Sequence, residues 1–342
     1  AEGRALYAIF YDISKAYDNV KWSSIVKSMR DINLPEDFIE FVHNSLKGTE
    51  VCIKTSTKGR TTEYVKMNQA VRQGDPLAPL LFDIVMNALH QGYKKLGGYK
   101  LRGGPTVSSV GYCDDTVILA SSMKQLRAMN AWTCRFFTDQ NFKISVNKTY
   151  VTGRHSDGED LGEHDTVTWP QDNSTLTRKT HNESVAHLGL MINMDLDWSD
   201  QHKKMNGMVL KISSSIRSGQ STLLQGAMLL RDKLPQQMDI GMRHAHITKT
   251  QISKWDTVLT GAVSARAGIG HGSLFRGAVA TIMRTHTMRH FNLMSKATQI
   301  IAGITRNTVV RGYHKKQLDV AKRLPNDESI IQDMDLTRDL AH

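Results

Sequence analysis

Apolar positions recur along the chain in two rhythms, and the rhythm changes near residue 200. Ala5–Asp12 is a short apolar and aromatic run that stops at a carboxylate, the pattern of a strand. Trp22, Ile25, Val26 and Met29 follow at helical spacing. Phe38, Ile39, Val42 and Leu46 do the same behind Pro35, a residue suited to opening a helix. Val51–Thr55 and Thr62–Met67 predict two strands about a Lys58-Gly59 turn. Pro79–Leu96 predicts a helix with Leu80, Leu81, Ile84, Val85, Ala88 and Leu89 inward, stopped by Gly97-Gly98. Val107–Tyr112 and Thr116–Ala120 flank Cys113-Asp114-Asp115, which predicts a hairpin with acids at its tip. Met123–Gln140 is helical in pattern, Lys143–Val146 and Tyr150–Thr152 are strand-like, and Ala186–Asn193 predicts one more strand. Between them, the acidic, Gly- and Thr-rich stretch 153–182 predicts a surface insertion or flexible excursion.

After Asp200 the spacing is helical. Met205, Met208, Val209, Ile212 and Ile216 form one stripe, and Ile252, Trp255, Leu259, Ala262 and Val263 form another. The remainder to about Gly303 is mostly helical in pattern. The order predicts a mixed α/β domain, a boundary near 195–205, and a helical domain.

Composition narrows the class. Of 342 residues, 40% are hydrophobic and 23% charged, which excludes a collagen-like or wholly disordered chain. The three cysteines, Cys52, Cys113 and Cys134, exclude a disulfide scaffold and predict reduced, intracellular thiols. No run of 18 uncharged apolar residues occurs, so no membrane partner is expected. Ala1 stands first in place of Met, and no targeting pattern precedes the first strand, which points to a processed chain or a piece of a longer one. The net charge of +11 is uneven: residues 151–199 hold 3 basic and 9 acidic residues, whereas 200–325 hold 20 basic and 5 acidic. A helical stretch so basic suits a polyanion, and nucleic acid is the natural one.

Asp12 ends a strand, Asp18 follows six residues later, and Asp114-Asp115 sit in a tight hairpin. Each alone is ordinarily a cap or a turn. Together they offer hard oxygen ligands on neighbouring strand ends, as a two-metal nucleotidyl-transfer site needs. Phe10-Tyr11-Asp12 through Val20 resembles the first catalytic motif of reverse transcriptases. Val71-Arg72-Gln73-Gly74-Asp75-Pro76-Leu77 through Phe82 resembles the second, in its non-LTR (LINE-type) retrotransposon form. Tyr112-Cys113-Asp114-Asp115 is similar to the aromatic-X-Asp-Asp signature, with Cys in place of the commoner Ala. Asn147-Lys148-Thr149 resembles the Lys motif, and His187-Leu188-Gly189 the primer-grip strand, with His for the usual aromatic.

The resemblance covers about residues 5–195. It implies an α+β fold: a right-hand polymerase palm, an RRM-like antiparallel sheet with helices, followed by a mostly helical thumb. The palm with a remnant of fingers would span 1–199, the thumb 200–303, and a C-terminal extension with an acidic tail 304–342. Asp12 and Asp114 would be the main metal ligands, with Asp115 a weaker one, for two Mg²⁺ ions, or Mn²⁺ in their place. Tyr17 would be the aromatic gate against a 2′-OH, or else a core aromatic. Arg72, Gln73 and Gly74 would face the template and nucleotide. Lys148 would aid the leaving pyrophosphate, and His187, Leu188 and Gly189 would hold the primer end. The implied partners are an RNA template, a DNA primer, dNTP, and upstream fingers and endonuclease regions of the same polyprotein. Nuclear action is implied for a retroelement product. A truncated or domesticated RNA-binding scaffold and an RNA-templated RNA polymerase are the competing readings. His244-Ala245-His246 invites a metal reading, but two His two apart on a helix point to different faces, and a basic-face or core role fits better.

Overall fold

Residues 3–54, 61–219 and 222–266 are described in the computed structural model. They divide into two compact units, one of Ala1–His187 with Asn193–Asp195, the other of Leu188–Ile192 and the chain from Leu196 onward. The Lys58-Gly59 turn, the helices expected between 267 and 303, and the 304–342 extension lie outside the described residues.

The first unit begins with β1 (Leu6–Tyr11), β2 (Ile13–Ser14), the short α1 (Ala16–Asn19), α2 (Trp22–Asp31) and α3 (Glu36–Lys47). The brief hairpin β3 (Glu50–Val51) and β4 (Val65–Lys66) precedes α4 (Ala78–Leu96). Then come β5 (Tyr99–Lys100), β6 (Thr106–Val107), β7 (Ser109–Tyr112), β8 (Asp115–Ala120) and α5 (Met123–Gln140). β9 (Lys143–Ile144), a 3₁₀ turn at Val146–Lys148, β10 (Tyr150–Arg154), β11 (Thr168–Trp169), β12 (Ser174–Thr175), β13 (Thr177–Arg178) and β14 (Val185–His187) complete it. The main sheet runs β13-β10-β1-β8-β7, antiparallel except for the outer β10–β13 pair. β1 is its central strand. Its odd residues Tyr7, Ile9 and Tyr11 are buried in the core shared with the helices.

Two helices close that core. Tyr11 donates its hydroxyl to Asn130 Oδ1 at 2.9 Å, and Tyr93 and Thr133 share a 2.6 Å hydroxyl bond. A Cβ at Gly92 would stand 2.2 Å from the Trp132 indole, so glycine is what lets α4 and α5 approach this closely. Leu80 departs from the expected inward set: it is 55% exposed, because Ala78, Leu81, Phe82 and Val85 already complete the buried arc of the helix.

The 153–182 stretch is also different from its expectation. It is acidic, but it is no excursion: Leu161, Val167, Trp169 and Leu176 are at most 5% exposed and join the main core. Asn130 Nδ2 donates to the Thr168 carbonyl at 2.8 Å, and Arg127 reaches the carbonyls of His164 and Thr166. The segment is a lid of irregular chain over α5, sealed by apolar anchors.

The second unit starts with β15 (Leu190–Ile192) and α6 (Ser199–Arg217). α7 (Leu223–Met228) runs through a π turn at Leu229–Lys233 into α8 (Leu234–His244), and α9 (Lys249–Arg266) follows. Met205, Val209, Ile212 and Ile216 of α6 pack with Leu234, Met238 and Met242 of α8 and with Ile252, Trp255 and Leu259 of α9. Gly241 permits the close α6–α8 approach, since a Cβ there would lie 2.6 Å from Met205 Sδ. His246 gives its carbonyl to His202 Nε2 at 2.7 Å and Ala245 is fully buried, so the His-Ala-His run serves packing.

Replacing Trp169 by Ala should cost about 3–5 kcal/mol in urea unfolding of the whole chain, the range for a buried large aromatic. A loose surface excursion would give a change near zero. The lid also carries imidazoles between carboxylates: His181 lies 2.9 Å from Asp160 and 3.1 Å from Asp195. Burial pushes the Asp160 carboxyl up, but the His181 N–H groups and Arg154 outweigh it, and the net shift is downward. A lowered folded-state pKa gives stability that is present at neutral pH and is lost as pH falls through that value. Stability should therefore drop below the ordinary carboxylate range, with a shallower drop in Asp160→Asn, as read by urea titrations at successive pH values.

Candidate active site

Sheet register builds the site. Tyr11 pairs with Thr116 and Phe10 with Val117, so the next residues outward, Asp12 and Asp115, end neighbouring antiparallel strands at matching height. Tyr112 and Asp115 close the β7–β8 hairpin, leaving Cys113 and Asp114 as a two-residue tip. Cys113 takes φ 52°, a left-handed conformation that a non-glycine residue adopts at some cost. All three carboxylates are half-buried.

Asp12 is clamped from the other side. Its carbonyl accepts from Ser145 N at 2.8 Å, and its N–H reaches Thr149 Oγ1 at 3.3 Å. Thr149 is fully buried, and the 3₁₀ turn between these two partners carries the exposed Lys148. The Lys motif and the first Asp motif are thus held together by backbone bonds.

The electrostatics follow from the crowding. Burial pushes the Asp114 carboxyl up, and the like charges of Asp115 and Asp12 push it further. No lysine or arginine among the described residues pairs with any of the three. Among the described residues, no three acidic, His or Cys side chains form a preformed metal cage. Mg²⁺ takes one or two carboxylates and completes its octahedron from waters and substrate phosphates. The donor set of unpaired oxygens therefore fits the ion.

Tyr17 lies beside this tip. Its ring stacks on Phe82 with centroids 5.2 Å apart and planes 5° apart. Burial raises its hydroxyl pKa strongly, and the facing Cys113 thiol and the Asp114 charge add to the rise. His187 packs edge-on against Phe10 at 5.4 Å and lies within the field of Asp115, so it shares the carboxylate end of the sheet. Burial lowers its pKa and keeps the ring neutral. Leu188 and Gly189, with φ 47° and 83°, belong to the second unit, where the Gly189 carbonyl accepts from Lys204 at 2.6 Å. They break the expected 186–193 strand into two pieces.

Arg72, Gln73 and Gly74 occupy an exposed loop before α4. Val71 N donates to the Tyr17 carbonyl at 3.0 Å, which ties the loop to the Tyr17 helix. Arg72 pairs loosely with Asp75 at 3.5 Å, and a Cβ at Gly74 would meet nothing within 4 Å. Its φ of 88° is what calls for glycine. Among the described residues, neither Arg72 nor Gln73 forms a hydrogen bond or ion pair with the three carboxylates.

The family described as reverse transcriptase (RNA-dependent DNA polymerase) matches residues 1–192. This chain belongs to that family. The Pol polyprotein of the type-2 retrotransposable element R2DM from Drosophila melanogaster is 28% identical over 150 residues, 44% of this chain and 14% of that protein. The Pol polyprotein of the type-1 element R2 from Nasonia vitripennis is 28% identical over 197 residues, 56% of this chain and 18% of that protein. The chain thus spans less than a fifth of these relatives. Telomerase from Candida tropicalis, solved with a TWJ fragment of telomeric RNA, aligns with TM-score 0.45 and 14% identity over 91% of this chain and 49% of its own. The non-LTR reverse transcriptase recognised in the sequence motifs is borne out by the family and its R2 relatives, and the α+β fold class by the sheet and helices.

Around the reverse transcriptase motifs stand residues whose roles the sequence reading missed. Thr149 clamps Asp12. On α4, burial pushes the Asp83 carboxyl up. One helical stripe further, His90 Nδ1 meets Ser109 Oγ at 2.8 Å, and its ring fills the place where a Cβ of Gly111 would be.

The repulsion among the acids has a measurable cost. An acid whose folded-state pKa is raised destabilises the fold as pH rises through the ordinary carboxylate range to that raised value, and the loss then persists. Asp114→Asn should therefore melt higher than wild type in EDTA at neutral pH, an advantage that fades under acid. It should also lose the stabilisation that Mg²⁺ gives wild type in the same thermal scans.

Proposed function

We propose that this chain is the RNA-directed DNA polymerase domain of an R2-like non-LTR retroelement, joining dNTP to a primer 3′-OH on an RNA template. The observation that supports this best is the meeting of Asp12, Asp114 and Asp115 at one sheet end, mutually repelling and without a cationic partner, in a chain of this family. Asp12 and Asp114 would hold the two Mg²⁺ ions, with Asp115 at their margin. When bound, the ions supply acidification of the primer hydroxyl and neutralisation of the pyrophosphate.

The remaining work falls to the chain. Tyr17, fixed by its stack on Phe82, excludes a 2′-OH and so selects deoxynucleotides. The exposed Arg72-Gln73-Gly74 loop offers a cation, an amide and open backbone to the template and incoming base. Lys148, exposed beside the Asp12 clamp, protonates or neutralises the leaving pyrophosphate. His187, neutral and braced by Phe10, holds the primer end with Leu188 and Gly189. The basic helices of the second unit serve as the thumb on the template–primer duplex, and the product acts in the nucleus.

The test is primer extension on RNA with dNTPs and Mg²⁺, using the full-length protein. Asp12→Asn and Asp114→Asn should each lower kcat by about 10³-fold, the scale of removing a main charge-stabilising group. Wild type no faster than Asp114→Asn, with RNA binding that weakens with salt, would replace the polymerase with an RNA-binding scaffold. Tyr17→Val should raise the kcat/KM ratio of rNTP to dNTP by about tenfold or more, since a hydroxyl is then no longer rejected by contact.

A further inference from the structure

The hairpin that carries Asp114 ends the main sheet. β7 is the edge strand, laddered to β8 over four residue pairs. A two-stranded hairpin is marginal by itself, so its position depends on what it packs against. Side chains alternate along a strand, which puts Ser109 and Gly111 on one face of β7 and the exposed Val110 and Tyr112 on the other. The first face meets a single residue of α4. His90 Nδ1 and Ser109 Oγ share a 2.8 Å hydrogen bond, and a Cβ on Gly111 would stand 2.5 Å from His90 Nε2. Gly111 lies outside the left-handed region, so its backbone does not call for glycine. Glycine inside a strand weakens it and marks a close approach, and here the imidazole makes that approach. The ring is braced from behind as well. It meets Tyr93 edge-on with centroids 6.0 Å apart, and the Tyr93 hydroxyl is bonded at 2.6 Å to the buried Thr133 of α5.

We propose that His90 is a positioning residue for Asp114: its ring fills the space that Gly111 leaves, its bond to Ser109 locks it there, and the two contacts fix the height at which the β7–β8 tip presents the carboxylate. This deepens the polymerase reading and rests on Asp114 being a metal ligand there. Asp12 and Asp115 end strands whose register the core sets, whereas Asp114 lies beyond the last pair of the hairpin, Tyr112 with Asp115. A shift of β7 against α4 therefore moves Asp114 relative to the other two. His90 acts on the site through two contacts on one strand, and its polar partner there is Ser109. The role needs both the ring and the bond, and it needs position 111 to stay without a side chain.

Two measurements on the full-length protein decide the matter, with Asp114→Asn as the reference. The first is Mn²⁺ binding by electron paramagnetic resonance, which reads the site without any synthesis, at a temperature where circular dichroism shows every variant folded. His90→Ala should weaken binding by about tenfold, the usual effect of removing a group that orients a metal ligand. Ser109→Ala removes only the hydrogen bond and should weaken it by about fivefold. Gly111→Ala should weaken it by about tenfold in the wild-type background, and should cost nothing further in His90→Ala, where the space is free. The second is primer extension with Mg²⁺ titrated. His90→Ala should lower kcat and raise the half-saturating Mg²⁺ by about tenfold, with KM for template–primer unmoved. Wild-type Mn²⁺ affinity in His90→Ala or in Ser109→Ala overturns the proposal. So does a Gly111→Ala penalty as large beside His90→Ala as beside His90, because the glycine would then serve something other than the ring. Equal Mn²⁺ binding by wild type and Asp114→Asn removes the ligand on which the role depends and overturns it too. A wild type that extends no primer, yet shows the whole Mn²⁺ pattern, defeats the polymerase reading and supports the positioning role.

Discussion

Three carboxylates held together against their own repulsion are the constraint on which the first unit is organised. Asp114 carries a raised proton affinity, first from its burial and then from the like charges of Asp115 and Asp12. Their proximity is enforced by strand register and by bonds to the Asp12 backbone. The β1–β8 register sets Asp12 against Asp115, and the buried odd face of β1 fixes that register, because a one-residue slip would turn Tyr7, Ile9 and Tyr11 out of the core. Hydrophobic burial thus opposes a local electrostatic cost, and the site is the place where a cation relieves it.

The supports around that cluster differ in kind. Asp12 is held by main-chain and hydroxyl bonds from the segment that also presents Lys148, so ligand and proton donor share one rigid piece. The hairpin that carries Asp114 is braced from α4 by His90, which bonds Ser109 and lies against Gly111. The first arrangement is coupled to the core by the buried Thr149, whereas the second lies at an exposed edge and is open to adjustment. The lid formed by residues 153–182 adds stiffness from behind: Trp169 meets Tyr11 edge-on and Phe137 at a tilt, next to the strand that ends in Asp12.

Much of this was legible in the residues themselves. Period-two and period-three-to-four patterning marked β1, α4, α5 and the helices of the second unit, because in each a long apolar face meets one core. The carboxylates were legible because they end such patterns. The lid was not. Its anchors Leu161, Val167, Trp169 and Leu176 follow no period, since irregular chain reaches the core one side chain at a time. Leu80 misled for the opposite reason: it fits the helical stripe, but its neighbours fill the buried arc. The roles of His90 and Thr149 were invisible because they depend on a strand that arrives from elsewhere in the chain. The split of His187 from Leu188 and Gly189 likewise depends on two successive left-handed residues that an apolar run conceals.

β1 is also fastened at its far end. Tyr7 shares a 2.7 Å bond with His155 Nδ1, whose Nε2 meets Asp165 at 2.9 Å, and Asp165 in turn accepts from the Gly162 N–H. Four residues therefore separate two polar fixtures, one at each end of a buried strand. Apolar residues between them can drift in identity as long as volume is kept. Their number cannot change: a single codon gained or lost between Tyr7 and Asp12 either tears the hydroxyl from its imidazole or puts the carboxylate on the wrong face. Lineages of this domain should tolerate substitution across Ala8, Ile9 and Phe10 and show no length variation there.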